Sequence, residues 1–143
     1  MTFMCTFTIE VTPVAKGRPR FSNRGGFAKA YTPKKTADYE DHITNCAKHV
    51  MGGQSPVEYP VALSLQFFLP IPKAWNKTMT LAAKRGEIKH TKKPDVDNFA
   101  KAVMDAFNGV LYEDDSQVVD LHVSKAYSDL PRIEVTMIEV LEN

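Results

Sequence analysis

Residues 92–117 read KKPDVDNFAKAVMDAFNGVLYEDDSQ, and the fold turns on how this stretch is divided. Phe99, Val103, Met104 and Phe107 recur at helical spacing. They predict an amphipathic helix over Asn98–Phe107 that stops at Asn108–Gly109, where Asn or Gly takes the left-handed C-terminal position. Pro94 biases the residue before it toward extended geometry. In an extended segment the side chains of residues i and i+2 point the same way, so Asp95 and Asp97 are expected to face one site. Asp115 follows twenty positions after Asp95, beyond the helix and a short strand, and a helix packed back on a sheet returns it to the same place. Lys101 lies one helical turn after Asp97 and reaches the same pocket. Carboxylates of this kind suit a hard cation such as Mg²⁺, which takes oxygen ligands and retains several waters. Two plainer readings stand beside this one: Asp97 or Asn98 as the helix N-cap, and Asp114–Asp115–Ser116 as a turn.

Outward from that stretch, the periodicity changes. Downstream, Val110–Tyr112, Gln117–Tyr127 and Arg132–Leu141 read as strands. Upstream, Phe3, Cys5, Phe7, Ile9 and Val11 alternate with polar residues, as do Val61, Leu63, Leu65, Phe67 and Leu69, which predicts two more strands. Tyr39, Ile43, Cys46, Ala47 and Val50 follow helical spacing from about Thr36 to a stop at Gly52–Gly53. Thr78 or Thr80 is expected to cap a short helix through Leu81–Arg85, ended by Gly86. The result is an α+β fold with a mixed β-sheet and helices packed against it, one domain over residues 1–143.

A net charge of +1 conceals a strong polarity. Residues 1–101 carry 16 Lys and Arg against 8 Asp and Glu, whereas residues 102–143 carry 2 against 9. Between Thr12 and Thr36 the cations Lys16, Arg18, Arg20, Arg24, Lys29, Lys34 and Lys35 occur without an acid and are interleaved with Phe21, Phe27 and Tyr31. This segment, broken by prolines and glycines, reads as a long surface loop or irregular hairpin of phosphate-binding composition, or as a solvated loop that is merely basic. Lys92 and Lys93 add positive charge beside the acid pair.

Cys5 and Cys46 lie far apart in apolar patterns and read as reduced core residues. The opening residues lack the basic and long apolar regions of a signal peptide, and no apolar run is long enough to span a bilayer, which places the protein in the cytosol and away from membranes. Of the four histidines only His90 sits near the acid pair, and Trp75 reads as a loop anchor. The EF-hand spacing fails at Phe99 and Ala100, and no Gly-rich phosphate loop, GxSxG or HExxH motif occurs.

The arrangement resembles the RusA-type Holliday junction resolvases. KPDVDN, Lys101 within NFAKAVMDAFNG, and EDDSQV leading into a strand carry the likeness, and PVAKGRPRF and YTPKKT extend it over nearly the whole chain. The resemblance implies a homodimer that binds branched DNA, specifically four-way junctions, and nicks strands of like polarity with Mg²⁺, Mn²⁺ being a possible substitute. By motif position it makes Asp95, Asp97 and Asp115 catalytic metal ligands and Lys101 an essential lysine. Lys16, Arg18, Arg20, Arg24, Lys92 and Lys93 are then expected to hold the DNA backbone. A flap- or fork-type nuclease and a non-catalytic junction-binding module are the competing expectations.

Overall fold

A computed structural model describes residues 3–15, 20–22, 29–31 and 34–142; side chains of residues 16–33 are outside the description. Four strands form the main sheet: β1 (Met4–Ile9), β4 (Val61–Pro70), β5 (Val118–Ser128) and β6 (Arg132–Glu139), in the order β1-β6-β4-β5. β4 runs antiparallel to β6 and parallel to β5, and β1 is antiparallel to β6, so the sheet is mixed. A second, two-stranded ladder pairs β2 (Arg20–Ser22) with β3 (Lys29–Tyr31), so the basic segment contains a hairpin ladder. The helices are α1 (Lys34–Met51), α2 (Lys77–Lys84) and α3 (Val96–Phe107). Among the described residues no helix is long and apolar enough to cross a membrane.

The period-2 pattern fixes which face of the sheet is buried. Val61, Leu63, Leu65, Phe67 and Leu69 of β4 are buried, and their neighbours Ile133, Val135 and Met137 on β6 line up opposite Phe67, Leu65 and Leu63. α1 contributes Tyr39, Ile43, Ala47 and Met51 to the same core, and α3 contributes Phe99, Ala100, Val103, Ala106 and Phe107. Phe99 stacks on Phe67 at 5.1 Å, and Phe107 packs on Phe7 and on Tyr112. Burying two such rings contributes about 1.5–3 kcal/mol each, enough to hold a twelve-residue helix that would be marginal in isolation. The Thr44 hydroxyl donates to the Ala106 carbonyl at 3.1 Å and ties α1 to α3.

Three expectations are corrected by the local hydrogen bonds. α2 is capped by Asn76, whose side chain accepts from the Met79 N–H at 2.9 Å; Thr78 and Thr80 fall inside the helix. Val110–Tyr112 is a tight turn and not a strand, because the Val110 and Leu111 N–H groups are captured by the Phe107 carbonyl at the end of α3. Gly109 makes that turn with φ of +75°, a conformation open to glycine, and Tyr112 touches the Val57 segment only through an isolated bridge. Cys5 is a core residue as expected, but Cys46 is only partly buried, with its Sγ 3.9 Å from His42 Nε2.

Candidate active site

α3 begins at Val96, two residues earlier than its pattern predicts, and this changes how the acids meet. Asp95 is the N-cap residue with extended backbone, yet its side chain caps nothing; Asp97 is already in the first turn. The two carboxylates therefore do not share the face of an extended segment. Helical spacing does the work instead. Asp97 and Lys101, one turn apart, stand on the flank of α3 beside its buried stripe, where Val96, Ala100 and Met104 border them. This side meets Leu121 and Val123 of β5 and Asp115 across an open groove of about 260 Å³. Asp97, Lys101 and Asp115 thus come together with apolar walls around them. Asp95 is not among the groove's lining residues.

Asp115 owes its position to its neighbours. Asp114 caps the 3₁₀ turn Asp115–Gln117: its carboxylate accepts from the Ser116 N–H at 3.0 Å, while Gln117 Oε1 accepts from the Asp114 N–H at 3.0 Å. Hydrogen bonds from Ser116 hold the Asp114 carboxyl below its ordinary pKa. The Gln117 amide also donates to the carbonyls of Val57 and Tyr59 at 2.9 and 3.0 Å, which moors the turn to the segment before β4. Beneath it, the buried Tyr112 hydroxyl donates to the Met104 carbonyl at 2.9 Å. Burial first, and then the charges of Asp115, Asp105 and Asp114, push the Tyr112 pKa far up.

Among the described residues, the carboxylates of Asp95, Asp97 and Asp115 accept no hydrogen bond and join no ion pair, whereas Asp114 Oδ2 accepts from the Ser116 N–H. Lys101 Nζ stands 3.6 Å from Asp105 Oδ2 and is largely exposed. Among the described residues no three His, Cys, Asp or Glu side chains gather closely enough to enclose a metal by themselves. Two carboxylates lining a groove still fit Mg²⁺, which is usually held by one or two carboxylates together with waters and substrate phosphate oxygens.

Lys125 is the residue the pattern should have exposed. It falls on the same face of β5 as Leu121, Val123 and Tyr127 and lies opposite the buried Phe67, a position where a strand facing the core carries apolar residues. Its ammonium group donates to the carbonyls of Lys92 and Pro94 at 2.6 and 3.0 Å. A half-buried charge is satisfied in this way, and the loop entering α3 is fastened to the sheet. His90 packs on Tyr127 at 4.9 Å, and its pKa is lowered by burial and by the Lys125 charge. Trp75 meets Tyr127 edge-on at 5.1 Å, the anchoring role its setting predicts. Lys92 and Lys93 are exposed beside this loop; Lys16, Arg18 and Arg24 lie outside the described residues, as does the side chain of Arg20.

The chain is thus a mixed-sheet α+β domain in which two carboxylates and a lysine line an open groove. The family model of endodeoxyribonuclease RusA matches residues 10–138, and the chain belongs to that family. It is also similar to a Bacillus subtilis (strain 168) protein named "Uncharacterized protein YqaN", 40% identical over 136 residues that cover 94% of this chain and 95% of that one.

Proposed function

We propose that the protein is a Mg²⁺-dependent, structure-selective DNA endonuclease that resolves four-way junctions as a homodimer by paired phosphodiester hydrolysis, in recombination and repair. The observation that carries the reading is the convergence of Asp97, Lys101 and Asp115 on one groove in a chain of the RusA endodeoxyribonuclease family. Asp97 and Asp115 offer hard oxygen donors there, and Asp95, one position ahead of α3, is the third donor the sequence motif supplies. A divalent cation held by these groups supplies positive charge at the scissile phosphate. Lys101, exposed and tethered only loosely to Asp105, swings to the phosphate and stabilises the negative charge that builds on it as water adds to phosphorus and the bond to the departing sugar oxygen breaks. The apolar walls strengthen each of these charge interactions by keeping bulk water out once DNA covers the groove. A two-fold dimer suits a junction, since one symmetric interface presents two grooves in fixed relation to two equivalent strands.

A synthetic mobile four-way junction tests this directly. Incubation with Mg²⁺ should give paired nicks in strands of like polarity, with none in EDTA and none on linear duplex. Preference for flaps or forks over junctions would move the assignment to a flap- or fork-type nuclease. Tight junction binding with no cleavage under any divalent cation would make the protein a non-catalytic binding module.

A further inference from the structure

Resting on the DNA-cleaving reading above, we infer that α2 and the loops on either side of it form a second backbone-binding surface that takes a duplex arm leading away from the groove. Residues 71–94 carry Lys73, Lys77, Arg85, Lys89, Lys92 and Lys93, together with Lys84, against the single acid Glu87. All seven cations are exposed. Of these seven, only Lys84 has an ion-pair partner among the described residues, Asp129 at 3.8 Å, and that pair is open to solvent and weak. A solvated face of an ordinary domain mixes both signs about evenly, whereas here seven cations stand against Glu87 and the neighbouring Asp129.

The surface is fixed in place and joined to the groove by a single strand. Along β5, Leu121 and Val123 line the groove, Lys125 holds the Lys92–Pro94 loop, Tyr127 holds Trp75 and His90, and Asp129 just beyond meets Lys84. From Val123 to Asp129 is six residues, about 20 Å at roughly 3.3 Å per residue, or about six base-pair steps of roughly 3.4 Å. Within α2, Lys77 and Lys84 are two turns apart, about 10 Å along the axis and close to three such steps. The loops on both sides are pinned by ring contacts and by Lys125, so the cations are presented with little ordering left to be done on binding. Spacing, excess positive charge and rigidity fit a phosphate backbone. No base-reading role is assigned, because such contacts position DNA without reading its sequence.

The test is the Lys73→Ala, Lys77→Ala, Lys89→Ala triple variant beside a Lys48→Ala control on α1. Binding to a four-way junction is measured in EDTA across a range of salt, and nicking is measured with Mg²⁺ at saturating junction. The triple variant should bind more weakly, and its plot of log affinity against log salt should be shallower by roughly 0.9 per lost contact, about 2.7 in all. Its rate at saturation should stay at the wild-type level, and the Lys48→Ala slope should be unchanged. If the wild type binds and nicks junctions while the triple variant keeps the wild-type slope, or loses no more per charge than the control, the arm runs elsewhere and this inference falls alone. If the wild type neither binds nor nicks DNA, the reading beneath it falls too.

Discussion

Asp114 and Asp115 are adjacent yet differently placed, one capping a turn and the other lining the groove. Asp114 bonds to Ser116 and to its own 3₁₀ turn, while Asp115 lines the groove with Asp97. Asp114→Ala should lower the melting temperature at neutral pH. Because the folded carboxyl titrates below its ordinary value, its contribution is present above that value and disappears as pH falls through the depressed one. The gap between the wild-type and Asp114→Ala melting curves should therefore close in acid; a gap constant down to the lowest pH would mean the carboxylate charge is not what stabilises the turn. Asp115→Asn should abolish nicking and spare junction binding, since it removes a donor and no cation. It should also melt higher than wild type in EDTA, because like charges at a surface repel by on the order of 1 kcal/mol, which is about 2–4 °C for a chain of this size. Mg²⁺ should stabilise the wild type more than Asp115→Asn through binding to the folded state. Equal Mg²⁺ shifts in both, with no rise in EDTA, would separate Asp115 from Asp97.

At the scale of elements, the sequence reveals α1, β1, β4, β5 and β6 within a few residues, because each repeats an apolar residue at a period that only one backbone geometry buries. It misplaces what is set by hydrogen bonds without periodicity: the start of α3, the cap of α2 and the turn after Phe107. The sequence names Asp97, Lys101 and Asp115 as candidates but misses how they meet, since Asp97 reaches the groove from a helical turn and not from an extended segment, and Asp95 does not line it. Lys125 escaped notice because HVSKAYS breaks the inward apolar pattern with a charge, and only the carbonyls of Lys92 and Pro94, 33 and 31 residues away, explain it. Lys125→Met should raise the His90 pKa part of the way back to its ordinary value, as read by NMR titration of the ring protons. Burial, the larger cause, remains, and only the ammonium is gone. An unchanged His90 titration would mean that the ammonium does not act on the ring. Tyr112→Phe deletes the hydroxyl bond to the Met104 carbonyl under the groove and should cost about 1 kcal/mol in denaturant unfolding at unchanged m-value.

At the scale of the whole molecule, the charge polarity read from the sequence acquires a direction. The acidic final third supplies Asp115 and β5, and the basic first two thirds supply the flanks that a polyanion would contact. Replacing Lys16, Arg18 and Arg20 together by Ala should weaken binding to every DNA tested and flatten the salt dependence by roughly 0.9 per lost phosphate contact. A salt slope equal to wild type would remove the amino-terminal loop from the DNA contact.

The strand order carries a consequence for how the chain comes to life. β6, the last strand in sequence, sits between β1 and β4, and among the described residues it is the only sheet partner of β1. At about 5–20 residues per second of synthesis, the stretch from Met4 to Arg132 takes roughly 6–25 s to make, and throughout that time β1 has no edge to join. A nascent chain paused anywhere before Arg132 already contains Asp97, Lys101 and Asp115 but lacks the strand that closes the sheet behind them. The groove's residues are thus made before the strand that joins β1 to the rest of the sheet.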